Sequence, residues 1–492
     1  MSSLFLLLPV LFPIAGAFLL FFLHFPDTDD SKRNRYTEVV VCLTSVLVWI
    51  SMAFVSKQPV KIYSFVRGFS ISLGLDGLGR LFAGMISVMW PLVTWYAFVY
   101  MEHAREKSKF FAFYTMTYGV SLGIAFSSNM TTLYVFFEML TLVTIPLVSH
   151  YKNHDSMFAG RKYAAYTIGG AGLGFFAVVM TTLYGDAGNF VFGGSLNGGG
   201  TATGLMQTAF LFGFFGFGAK AAVFPLHGWL PTASVAPTPV TALLHAVAVV
   251  NSGVFAVTRL TWYIYGPEAL EGTYVQITAL LVSVFTLVFA AVMALRERHF
   301  KRRLAWSTVS NLSYMLFGIS LLTTQGFVGG TMHMLFHGII KMSLFLCAGA
   351  FMHVTCNEYI YEVNGAGRRM PLTFLFYTLG GLSLTGIPMF CGFISKWNLV
   401  MAGLQADTPW SLAGVAGLII AAFLCAMYTL TVSVRAFFPS AGTDRYEGEQ
   451  GIREAEKEML VPIAVFGVIN IVLGIWSAPV TEFLSKIAAG LL

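Results

Sequence analysis

The chain has 492 residues, of which 57% are hydrophobic and only 11% charged, with a mean hydropathy of +0.74. Apolar stretches of about 20 residues, enough to cross a bilayer as a helix, recur along its length, so no soluble domain is left over. A formal charge of +6 would point to nucleic acid in a soluble protein, but here the basic residues gather in short loops between apolar runs, which reports topology and excludes a nucleic-acid partner.

A first span is expected at about 4–25, an apolar run too long for a signal-peptide core and without a basic leader or a small-residue cleavage site. After a second span at about 39–55, the alternation of Tyr63, Phe65, Phe69 and Ile71 predicts extended structure on the far side of the membrane. Spans three to six are expected at about 78–100, 110–126, 131–150 and 163–184, and a Gly-rich segment, 185–204, reads as an exposed loop. Span seven carries Lys220 and is expected to break near His227, because Pro225, Pro231, Pro237 and Pro239 remove backbone donors and clash with the preceding turn. Spans eight to eleven are expected at about 239–263, 274–295, 304–322 and 327–354. Span twelve, about 371–404, is interrupted by Gly386, Pro388 and Gly392 just before Lys396, and the last two spans are expected at about 411–438 and 459–483. This is an all-α polytopic membrane protein with about fourteen transmembrane helices.

Lysine and arginine concentrate in the loops after spans one, three, five, nine, eleven and thirteen, from Lys32, Arg33 and Arg35 to Arg445, Arg453 and Lys457. The alternate loops hold little beyond Lys57, Lys61 and Arg67, so both termini are expected outside, with the basic loops in the cytoplasm. Spans four to eight and nine to thirteen each contain one interrupted helix with a lysine at its break. An odd repeat of five spans inverts the second unit relative to the first, and paired interruptions of this kind mark a transport site. The chain accordingly divides into 1–109 (spans one to three), 110–265 (first repeat), 270–438 (second repeat) and 439–492, a cytoplasmic loop with span fourteen.

The chemistry resides in the polar residues that interrupt spans: Glu138, Lys220, His227, His245, Asn251, His333, His337, Lys341 and Lys396. A charge at bilayer depth costs from about 2.5 kcal/mol to well over 10 unless it has a partner or a wet cavity. Broken backbone at that depth survives only where protein buries it or water lines it. Burial favours a neutral carboxyl and a neutral amine, whereas a lysine and a glutamate side by side favour each other's charge. A Glu138–Lys220 pair therefore acts as a switch: moving the carboxylate away releases the lysine's proton. His333, His337 and Lys341 are spaced four apart and line one stripe of a helix, a suitable relay because neutral imidazole both accepts and donates. Each of these groups also has a structural reading, helix pinning for Glu138 and hydrogen bonds to broken backbone for His227 and His245. Cys42, Cys347, Cys356, Cys391 and Cys425 are scattered without metal-ligand spacing, so neither a metal centre nor a disulfide framework is expected.

The run from Phe215, FGFGAKAAVFPLHGWLPTASVAPTPVTALLHA, resembles the signature of antiporter-like membrane subunits shared by respiratory complex I, Mrp-type Na+/H+ antiporters and membrane-bound hydrogenases. The resemblance extends over nearly the whole chain, from Glu138 to GFISKW around Lys396. It implies fourteen core helices with two inverted five-helix repeats, each with a broken helix, Glu138 and Lys220 as the coupled pair of one half-channel, and Lys396 in the second. It implies that His333, His337 and Lys341 form a central hydrated axis. One departure stands out: relatives often carry a lysine in span eight, in a pattern like HAxxVKAG, where this chain has HAVAVVNSG. Asn251 cannot titrate, so His245 or water must bridge that point. Lys396, in place of a glutamate, is similar to the D-type member of the Mrp antiporters.

The resemblance implies a proton-translocating subunit of a multi-subunit cation/proton antiporter, moving H+, with or without Na+, beside paralogous and small membrane subunits in a prokaryotic inner membrane. The alternatives are the proton-pumping membrane subunit of a hydrogenase or complex I, and a non-conducting scaffold. No redox cofactor, whether quinone, flavin or cluster, is implied in this chain.

Overall fold

The computed structural model describes residues 2–22, 30–54, 58–66, 68–184, 188–196, 203–440, 442–446 and 453–492. Helices α1 (Ser2–Phe22) and α2 (Asp30–Phe54) lead to a hairpin of β1 (Val60–Val66) and β2 (Phe69–Leu73), paired antiparallel with Val60 opposite Leu73. The predicted extended segment is this hairpin. Lys57, Arg67, residues 23–25 of the expected first span and residues 185–187 and 197–202 of the Gly-rich loop lie outside the described residues.

Capping side chains start many of the following helices, as expected where the first backbone donors of a helix lack intrahelical partners. Asp76 Oδ1 accepts from Gly79 N at 2.9 Å at the head of α3 (Gly77–Tyr100). After α4 (Lys107–Ala125), Asn129 opens α5 (Met130–Val148) and Asn153 opens α6 (His154–Leu183), each accepting from a backbone N–H at 2.8 Å. The tight 126–129 connection matches the short loop expected between spans four and five.

The interrupted region comprises α7 (Gly204–Gly218), α8 (Trp229–Ala233), α9 (Thr238–Ala246) and α10 (Val249–Thr258), followed by a π-helical turn over Arg259–Tyr265 and the short α11 (Pro267–Leu270). Two expectations are corrected here. The helix of span seven ends at Gly218, before Lys220, and not near His227: residues 219–228 run as turns, with a cis Phe224–Pro225 bond. Span eight, expected to be continuous, is itself interrupted at Val247 and Ala248, where Val247 takes φ −137° and ψ −60°. No proline or glycine stands at that position, so the sequence gives no warning of it.

The second half comprises α12 (Tyr274–Arg296), α13 (Phe300–Ser320), α14 (Thr324–Thr355), α15 (Ala366–Arg369), α16 (Pro371–Thr385), α17 (Cys391–Ala406) and α18 (Pro409–Phe437). The break between α16 and α17 falls where Gly386 and Pro388 placed it, and Gly386 adopts φ +99°, a left-handed value that favours glycine. The final span, α19 (Lys457–Ile475), ends earlier than expected. Trp476 and Ser477 separate it from α20 (Ala478–Ala488), which buries Leu484 and Ile487 and exposes the Glu482–Lys486 pair.

Ten helical segments among the described residues, one of them the interrupted Thr238–Tyr265, are long and apolar enough to cross a membrane. With α4 and α13 and the two broken pairs α7–α8 and α16–α17, they make up the fourteen-span layout. Thr238–Tyr265 and almost all of α14 are buried on every side, whereas α1, α2, α12 and α18 expose large apolar side chains. The core is thus a wrapped pair of polar-bearing helices, α9–α10 and α14, inside a lipid-facing shell.

Candidate functional site

Lys220 stands at the mouth of the first break, fully buried, because the polypeptide leaves α7 two residues earlier. Its ammonium donates to the Phe137 carbonyl and lies 3.5 Å from the centroid of the Phe137 ring. Glu138, the next residue of α5, brings Oε1 to 4.0 Å from Lys220 Nζ while keeping about a quarter of its side chain accessible. That oxygen accepts no hydrogen bond from the described residues. The arrangement is a loose ion pair at the edge of hydrogen-bonding reach, with one partner sealed in and the other facing outward.

The prolines of this region occupy different parts of the break. Pro225 follows the turn, Pro231 lies inside α8, and Pro237 precedes α9 with φ −50° and ψ 141°. Lys301 of α13 is buried and donates to Ala236 O at 2.9 Å, satisfying a carbonyl that the kinked backbone leaves open. His227 is half-buried among Phe224, Phe289 and Trp306.

His245 sits in the last turn of α9, fully buried, and stacks 4.8 Å from the Phe345 ring of α14. Asn251 lies one turn beyond the second interruption. Its Nδ2 donates back to Ala246 O at 2.7 Å, so it closes the carbonyl that the interruption of span eight exposes. A buried lysine would serve that carbonyl too, but asparagine does so without a charge.

The stripe on α14 forms as expected. His333 and His337 have ring centroids 6.0 Å apart, and His333 bridges Ser395 Oγ at 2.9 Å and Asn311 Oδ1 at 3.2 Å. Lys341, one turn further, donates to Leu304 O at 3.0 Å and to the Ser307 hydroxyl. His333, His337 and Lys341 are fully buried. Among the described residues both ring nitrogens of His245 and of His337 have no hydrogen-bond partner, unusual for buried polar atoms, which are nearly always hydrogen-bonded.

Lys396 reaches the second break, donating to Leu384 O at 2.5 Å and Thr385 O at 3.4 Å, the carbonyls freed where α16 ends; Pro388 lies in that same break. Its ammonium is 4.8 Å from the Tyr314 ring, which in turn lies 5.5 Å from His333. Lys396, Tyr314, His333 and His337 are therefore contiguous, and Phe345 touches both His245 and Lys341. Among the described residues no hydrogen bond joins Lys220 to His245.

Sequence reasoning missed Asn311, Ser307, Ser395 and Tyr314, which carry no charge and look like ordinary span residues. It also missed the pair of buried Arg259 with half-buried Asp76, in which Nη2 reaches Oδ1 at 2.6 Å. Arg259 interrupts an apolar run and was legible as an intramembrane charge; its partner lies 183 residues away.

Residues 127–424 match the family described as NADH:quinone oxidoreductase/Mrp antiporter, transmembrane. The NADH-quinone oxidoreductase subunit L of Mycobacterium tuberculosis is 30% identical over 83% of this chain and 63% of its own length. A Na(+)/H(+) antiporter subunit of Alkalihalophilus pseudofirmus is 30% identical over 83% of the chain and 52% of its own length. The chain thus spans between half and two thirds of these relatives. In fold it follows a chain of the Mrp complex from Dietzia sp., with a TM-score of 0.84 at 20% identity, covering 100% of this chain and 97% of that one. With the paired breaks, the α14 stripe and a match across more than half its length, the chain belongs to the NADH:quinone oxidoreductase/Mrp antiporter family of membrane proteins.

Proposed function

We propose that this chain is the proton-translocating, antiporter-like subunit of a multi-subunit cation/proton antiporter. The observation that carries the reading is the Glu138–Lys220 pair, 4.0 Å apart at a broken helix, with the lysine buried and the glutamate partly accessible. A displacement of Glu138 removes the charge that keeps Lys220 protonated, and the proton moves on. The imidazole nitrogens of His245 and His337, which make no hydrogen bond among the described residues, are linked by water in this reading, since water satisfies buried polar groups. His333 hands the proton past Tyr314 to Lys396 at the second break.

The similarity to a Na(+)/H(+) antiporter protein supports an opposing cation gradient as the driving force. In this reading residues 110–265 and 270–438 are the two inverted transport units, 1–109 and 439–492 flank them, the basic loops face the cytoplasm of a prokaryotic cell and both termini face outward. Other membrane subunits of the same complex are its partners. A second reading, a redox-driven proton pump, is favoured by the similarity to an NADH-quinone oxidoreductase protein.

The test is cation-dependent ΔpH in vesicles holding the whole complex, with the unmodified protein, Lys220→Ala and Glu138→Ala compared at equal assembly. Both variants lose the signal if the pair is the switch. Undiminished ΔpH in both assigns proton movement to another subunit, leaving this chain a scaffold. If only an electron donor evokes ΔpH in the unmodified complex, the redox-driven reading replaces the antiporter one.

A further inference from the structure

On the hairpin side of the molecule a groove of about 260 Å³ opens toward the bilayer between α2, α3, α14, α19 and α20. Its walls are apolar: Trp49, Met52, Val88, Leu335 and Phe466 are among them, and among the described residues Arg80 is the single charged one lining it. Trp49 is 51% and Val88 40% exposed, so the groove faces the lipid directly. Arg80 lies in the first turn of α3, at the hairpin end, and Met89, nine residues on, lines the groove's deep end. At 1.5 Å per residue that separation is about 13 Å, close to half of the roughly 30 Å hydrocarbon core. The groove thus has the depth of one leaflet, with its positive charge at the level of the headgroups.

We propose that this groove binds an anionic phospholipid of the hairpin-side leaflet, one acyl chain lying along Gly84, Met85, Val88 and Met89 with the phosphate at Arg80. Three features favour this occupant. Arginine presents a planar fork of donors that suits phosphate, and Arg80 Nε already orients toward Leu75 O at 3.4 Å, fixing the side chain at the rim. Amphipathic α20 lies across the same rim, with Phe483 in the groove and Ile487 packed against Gly77, the arrangement of an interfacial helix. Gly84 opens the middle of the groove: a Cβ there would meet only Met52 Cε, at 3.6 Å.

The occupied groove bears on the buried axis. Met85 Sδ lies 4.0 Å from Asn251 Nδ2, and a Cβ at Gly338 would stand 3.3 Å from both Met85 Sδ and Met89 Cε and 3.0 Å from Ala246 O. Met85 and Met89 are the partition between the lipid and the interruption of span eight. An acyl chain against them braces that interruption from outside.

The binding test does not depend on transport. The assembled complex in nanodiscs is photolabelled with a phosphatidylglycerol carrying a diazirine in its acyl chain, and the labelled peptides are mapped. Label is expected on Met85, Met89 and the Leu335–Ile339 turn, and unlabelled phosphatidylglycerol should compete about tenfold better than phosphatidylcholine, the worth of one charge-assisted contact. Arg80→Gln should erase that preference while label remains, and Gly84→Leu, which fills the groove, should remove the label. Equal competition by the two lipids in the unmodified complex overturns the proposal. So does label that persists in Gly84→Leu, or a groove that takes no label because a neighbouring subunit's helix covers it.

Discussion

The two breaks hold their lysines differently. Lys220 at the first break has a carboxylate at 4.0 Å, whereas Lys396 at the second is held by the Leu384 and Thr385 carbonyls and, among the described residues, by no acidic side chain. The first is a charge pair whose balance shifts when one member moves. The second is a cation solvated by the dipoles of an interrupted helix, with nothing nearby to withdraw. In the proposed function the two breaks therefore do different work: the first drives a proton, the second receives one from His333 and releases it.

That contrast is open to direct measurement. The largest effect on stability is expected from Glu138→Ala, which leaves Lys220 buried without a counter-charge, a cost of about 3–5 kcal/mol. Thermal denaturation of the complex should show the loss, and Glu138→Ala with Lys220→Met should recover most of it. A double variant no more stable than the single one would mean that the two residues do not form a unit. Lys396→Met should cost less, about 1–3 kcal/mol, because it orphans carbonyls and strands no charge. A loss as large as that of Glu138→Ala would erase the distinction between the breaks.

An ion cluster in a water-facing loop sets the lower end of the scale. Glu106 holds Lys109 at 2.9 Å and Lys152 at 2.5 Å, and these hydrogen bonds, Lys152's first, lower its carboxyl from 4.5 to about 2. A carboxyl depressed on folding adds stability above its unfolded value, and that stability is lost as pH falls through about 2. Exposed as the cluster is, Glu106→Gln should cost less than about 1 kcal/mol near neutral pH. The difference between the two proteins should vanish in strong acid; a difference that grows on acidification would contradict the sign.

Much of this site was legible before any fold was known, because a bilayer penalises polar residues so steeply that each one inside a span announces itself. Lys220, Glu138, the four-residue spacing on α14 and Lys396 beside Gly386 and Pro388 were found this way. The second interruption, at Val247 and Ala248, was not, since no breaker residue marks it and the donor that Asn251 returns to Ala246 O is an uncharged side chain in an apolar run. Asn251, read as a gap in a proton path, is in the fold a cap. Lys301, which falls in the basic loop expected between spans nine and ten, is buried against Ala236 O.

The sequence alone determined the number and order of spans, the two paired interruptions and the set of titratable groups, because span length, helix breaking and the cost of buried charge are local properties of the chain. Tertiary structure decided which groups meet. Glu138 and Lys220 are 82 residues apart, Asp76 and Arg259 are 183 apart, and Ser395 and His333 are 62 apart. Such contacts depend on how helices pack and rotate about their axes, which local propensity does not fix. The same packing set Lys220 beside a carboxylate and Lys396 beside bare carbonyls, and with that the difference between the two halves.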